Sequence, residues 1–130
     1  MILSKIISNR ILEIATEYLG RDFDYEKFNC VHYVREVYFR VGIVLPILVR
    51  GEYPPPDFHL SHEEFSLMPL GHSVFFKRKT SMSDRYWTHV GIIFSTSEII
   101  HCSWIFGDKV VITSLPEFFE VYDLAPKPLR

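Results

Sequence analysis

Three side chains in this sequence could together carry out nucleophilic chemistry: Cys30, His89 and His101. A thiol attacks as the thiolate, and a neutral imidazole can take its proton on one ring nitrogen. The other ring nitrogen then needs a partner that fixes tautomer and orientation. A second histidine can fill that role as a carboxylate does in other triads. On this reading Cys30 is the nucleophile, His89 the base and His101 the orienting group. Each residue alone has a plainer reading. Unpaired cysteines are among the most buried residues, and a histidine on a strand is more often structural or exposed than catalytic. Metal binding is weaker still. Cys30, His89, His101 and Cys102 lack the closely paired spacings of zinc sites, so neither metal nor cofactor is expected. Two cysteines could form one bridge, but nothing in the sequence requires it.

These residues need particular elements to hold them. Asn29 is a good helix N-cap, which places Cys30 in a first helical turn. Cys30, Val34, Val37, Tyr38 and Val41 then follow the spacing of a helix with one apolar face, and Gly42 suits its end. A thiol at a helix N-terminus feels the positive end of the backbone dipole, which favours the thiolate. His89 to Ser95 and Glu98 to Ser103 read as two strands with a tight connection at Ser95-Thr96-Ser97. Adjacent antiparallel strands set the two histidines side by side when the register is right. Alternation sends Cys102 to the opposite face from His101, into the core.

The remaining elements follow from pattern. Ile7, Ile11, Ile14, Ala15, Tyr18 and Leu19 predict an amphipathic helix from about Ser4 to Leu19, stopped by Gly20. A charged, aromatic connection spans 21–28. A short extended piece surrounds Pro46. Positions 49–64, with Pro54, Pro55, Pro56, His59 and His62, read as a long surface loop, and Ser61 with Glu64 could start a short helix. Strands are expected at 73–77 and 109–113, a turn at Gly107-Asp108, a helix start at Ser114 to Glu117, and a final strand at 119–124. A polar loop spans 77–87, and a proline-bearing tail ends the chain. Helices followed by consecutive strands argue for an α+β fold with N-terminal helices packed on an antiparallel sheet.

Composition bounds the partners. The 130 residues fit one domain, 1–130, and 48% hydrophobic residues allow a sizeable core. Net charge is −2 with no basic stripe, so nucleic acid is a poor partner. Val41 to Val49 is the longest apolar run, far short of a membrane span. Glu13 and Glu17 interrupt the apolar N-terminus, so no secretory signal is read. The cytoplasm is the default compartment, with export by a route needing no N-terminal signal left open.

Four segments together resemble the NlpC/P60 cysteine peptidases, which are papain-like in core. They are Asn29-Cys30-Val31-His32-Tyr33-Val34, Gly71-His72-Ser73-Val74-Phe75-Phe76, His89-Val90-Gly91-Ile92 and Ile100-His101-Cys102. Each is weak alone; four in the right order at suitable spacing are fairly specific. The resemblance runs from about Leu19 to Leu115. It implies Cys30 as nucleophile, His89 as base, His101 as third polar residue, and an oxyanion held by the Cys30 backbone N–H, with Tyr25 and Phe23 the close candidates for the family's upstream tyrosine. It implies amide cleavage in a peptide or peptidoglycan fragment. Asn29 stands where the family has Asp, Val31-His32 where it has Ser-Gly, and His72 where it has Asp. These departures weaken transfer of the family's usual substrate. Tyr25, His32, Tyr33, Trp87, Trp104 and the 52–58 loop are expected substrate-binding positions. The rival readings are an acyltransferase or protein deamidase on the same fold, and a non-catalytic binding or assembly module. In the lecithin:retinol acyltransferase group the histidine precedes the cysteine, so the order here counts against that branch.

Overall fold

The apolar stripes find their partners on the two faces of one sheet. The computed structural model describes residues 4–45, 60–80 and 87–125. In chain order they form α1 (Lys5–Glu17), α2 (Cys30–Phe39), α3 (His62–Ser66), β1 (Ser73–Arg78), β2 (His89–Ser95), β3 (Glu98–Ser103), β4 (Lys109–Ser114), α4 (Leu115–Val121) and β5 (Tyr122–Leu124). The strands pair antiparallel throughout, in the order β4-β3-β2-β1-β5. The expected α+β class is what folds.

Strand alternation divides the core in two. Val90 and Ile92 of β2, with Ile100 and Cys102 of β3, face α1 and α2. There they pack with Ile11, Ile14, Cys30, Tyr33, Val34 and Val37. Ile93 and Ile99 face the other way, against Phe76, Phe118 and Tyr122. Each fully buried aliphatic or aromatic side chain contributes about 1.5–3 kcal/mol, so both layers stabilise the sheet. The second layer, built by α3 and α4, was not expected from the sequence.

Most boundaries fall where the pattern set them. Ser4 caps α1 by accepting from the Ile7 N–H, and Ser61 caps α3 with Glu64 completing the box. Gly107 and Asp108 both take positive φ in the turn before β4. One expectation is corrected. The segment 119–124 is not a strand throughout: α4 continues to Val121, and only Tyr122–Leu124 pairs with β1. The Ser114 side chain accepts from the Glu117 N–H, Pro116 sits in the first turn, and Phe118 is fully buried, so capping and burial favour the helix. Four expected features lie outside the described residues. They are the extended piece around Pro46, the loop 49–59 with its proposed wall at 52–58, most of the polar loop before Trp87, and the C-terminal tail.

Candidate active site

α2 begins at Cys30 because Asn29 caps it. The Asn29 side chain accepts from the Val31 and His32 N–H groups at 3.0 and 3.1 Å. Its amide nitrogen donates to the Tyr25 carbonyl at 3.0 Å, tying the cap to the preceding turn. The box is closed by His32, whose Nδ1 accepts from the Asn29 N–H at 3.1 Å. His32 therefore holds the helix start, a task usually given to Glu or Gln. The sequence offered it only as a substrate contact or a solvent-facing residue.

The Cys30 side chain is fully buried in the cluster that contains Val90, Ile100 and Cys102. Neither cysteine is part of a disulfide. Cys102 lies under the helix start, its Sγ donating to the Phe28 carbonyl at 3.6 Å. Burial pushes the Cys102 thiol up to about 12, and the neighbouring Cys30 adds to the effect. Cys102 is thus the inert core residue that alternation predicted.

The two histidines meet on the other face. His89 Nε2 and His101 Nδ1 are 2.7 Å apart, with both rings buried and nearly perpendicular. The pairing of Ile92 with Ile100 sets His89 and His101 on a cross-strand diagonal within reach of two imidazoles. Gly91 lies between them. A Cβ built there would stand 2.8 Å from Ile99 Cγ2 and 3.3 Å from His101 Cβ, so the glycine lets β3 approach closely. His101 Nε2 continues the chain to Thr113 Oγ1 on β4 at 2.8 Å. Burial lowers the His101 pKa to about 3, so the ring is neutral. Aromatic rings enclose the pair. Tyr122 stacks on His89 with centroids 4.7 Å apart, and Phe118 and Phe106 pack against His101.

The structure brings His89 and His101 into contact, and packs Cys30 with Cys102. Both groups lie at the same end of the sheet, where β2 starts at His89 and β3 finishes after Cys102. The expected substrate positions divide. Tyr25 and Trp104 are exposed, with Arg78 stacked over the Trp104 ring. Tyr33 and Trp87 are fully buried among the described residues. Tyr33 donates to the Ala15 carbonyl at 2.9 Å, and Trp87 packs edge-on against Phe75 at 4.7 Å. Thr113, Phe118 and Tyr122 were missed. Thr113 becomes readable only once the β3–β4 register is known, with Val111 opposite His101.

No protein-family model matches the sequence, and no curated protein does. Solved structures do match in fold. An NLP/P60-family protein from Staphylococcus aureus, described as similar to lipoprotein, superposes with a TM-score of 0.69 at 20% identity over 98% of this chain and 44% of its own. An NlpC/P60-family protein from Bacillus cereus gives 0.68 at 20% identity, over 95% of this chain and 40% of its own. NlpC1 from Trichomonas vaginalis gives 0.70 at 16% identity, over 96% and 44%. The chain has the α+β fold of NlpC/P60 proteins and spans less than half the length of each of these three.

Proposed function

We propose that this protein is a papain-like cysteine hydrolase that cleaves an amide bond in a peptide or peptidoglycan fragment. The observation that carries the reading is the buried 2.7 Å contact between His89 and His101, at the sheet end where the Cys30 helix begins. The NlpC/P60 fold supports it. His89 would take the Cys30 proton at Nδ1 while Nε2 stays engaged with His101. The thiolate then attacks the amide carbonyl. As the C–N bond breaks, His89 returns the proton to the leaving amine. Water hydrolyses the thioester and restores the thiol. As the resemblance to NlpC/P60 proteins implies, the oxyanion would be held by the Cys30 backbone N–H at the helix start.

This chemistry requires the Cys30 sulfur to lie within hydrogen-bond reach of a His89 ring nitrogen. The full burial of Cys30 favours a second reading: a non-catalytic module that keeps the fold. Iodoacetamide labelling separates the two. A hydrolase thiol reacts well below pH 8.5, the ordinary thiol value, and Cys30→Ala abolishes the labelling. Cys102→Ser leaves it unchanged, because burial keeps that thiol protonated. A Cys30 that labels no faster than a free thiol refutes the hydrolase reading. Mass spectrometry of defined muropeptides incubated with wild type and Cys30→Ala then tests the substrate class.

A further inference from the structure

His101 is pinned at both ring nitrogens, and its second partner lies outside the three residues proposed for catalysis. The distances are 2.7 Å to His89 Nε2 and 2.8 Å to Thr113 Oγ1. His101 and Thr113 are buried, and the ring is too deeply buried to hold a second proton at neutral pH. A neutral imidazole carries one N–H, so the three groups can be wired in only two ways. In the first, Thr113 donates to His101 Nε2, and His101 Nδ1–H donates to His89 Nε2. Neutral His89 then carries its proton on Nδ1 and cannot act as a base there. In the second, His89 Nε2–H donates to His101 Nδ1, and His101 Nε2–H donates to Thr113 Oγ1. This wiring leaves Nδ1 of neutral His89 as the basic nitrogen. It also suits the imidazolium formed once that nitrogen is protonated, since Nε2–H keeps its acceptor.

We propose that Thr113 is a positioning residue whose hydroxyl, by accepting from His101 Nε2–H, holds the His101–His89 pair in the tautomers that make His89 a base. The inference rests on the hydrolase reading for its purpose, and on the three-group geometry for its existence. Without the hydroxyl, the productive tautomer would bury an unsatisfied N–H, so His101 would turn its proton toward His89 instead. A wrong tautomer at the orienting residue disables a triad while leaving its geometry intact.

The direct test is nitrogen-15 NMR of the histidine rings at neutral pH. In wild type, His101 should carry its proton on Nε2, and in Thr113→Val on Nδ1. Thr113→Ser, which keeps the hydroxyl, should retain the wild-type pattern. A wild-type His101 protonated on Nδ1 overturns the proposal, as does a Thr113→Val spectrum with Nε2 still protonated. The wild-type spectrum decides the matter even if Thr113→Val fails to fold. Iodoacetamide labelling of Cys30 near pH 7 should fall about tenfold or more in Thr113→Val and recover in Thr113→Ser. Should wild-type Cys30 prove no faster than an ordinary thiol, the hydrolase reading fails, while the ring tautomers still decide the role of Thr113.

Discussion

Asn29 serves three groups at once: the N–H of Val31, the N–H of His32 and the carbonyl of Tyr25. Asn29→Ala removes all three bonds at the turn that presents Cys30. Losing a cap of this kind costs about 0.5–2 kcal/mol, to be read as a shift in the urea midpoint. Asn29→Asp keeps the acceptor and adds a charge that the helix N-terminus favours, so it should recover most of the loss. The cap was legible because Asn before an apolar helical stripe is a start signal. The partner that closes the box was not. His32 accepts through Nδ1 only in one rotamer and tautomer, which residue type does not reveal. The place of Tyr33 was open in the sequence for a different reason. Its aromatic ring suggested a cleft wall, yet it stands three residues after Cys30 and one before Val34, inside the stripe that α2 buries.

The hairpin of β2 and β3 is the element that makes the histidine pair, and Gly91 is where it is tightest. A methyl group there would meet the branched Ile99 side chain at 2.8 Å, closer than real Cβ contacts come. Gly91→Ala should therefore force the two strands apart or twist Ile99 from its rotamer. Overpacking of this kind costs about 1–3 kcal/mol, and the thermal midpoint should fall accordingly. The ring contact between His89 and His101 should loosen as well, visible as a changed shift pattern for both imidazoles. The limits of this hairpin could be read from the sequence, since apolar strands flank the polar Ser95-Thr96-Ser97 turn. The faces could be read only in part. Alternation separated Cys102 from His101 correctly. That α2 would settle on the Cys102 side was hidden, because which face a helix covers depends on connections distant in sequence. α4 shows the same limit. Phe118-Phe119 with Val121-Tyr122 resembles a strand in composition, and only the sheet supplies the surface on which Phe118 prefers a helical path.

At the scale of the whole molecule, the buried histidine pair links folding to acidity. Burial holds His101 near 3 in the folded state, against 6.5 for an unperturbed histidine. The unfolded chain therefore binds a proton here that the folded chain excludes. Above pH 6.5 neither state is protonated at His101, and the difference contributes nothing. As pH falls from 6.5 toward 3, the unfolded state gains the proton and stability declines. The slope from this one site approaches about 1.4 kcal/mol per pH unit and flattens below about 3, where the folded ring protonates too. The depressed pKa thus opposes folding in acid, the reverse of a histidine held charged by a carboxylate. Urea unfolding measured across pH 4 to 8 should show this decline. His101→Gln, which keeps hydrogen-bonding capacity but does not titrate, should flatten the profile between 6.5 and 4 while lowering stability at pH 8 through imperfect packing against Phe106 and Phe118. An unchanged slope in His101→Gln would mean that the acid sensitivity comes from other groups and that burial does not hold His101 below its unfolded value. A single pH series thus reads whether the fold keeps His101 neutral, the state in which its one N–H must be directed to either His89 or Thr113.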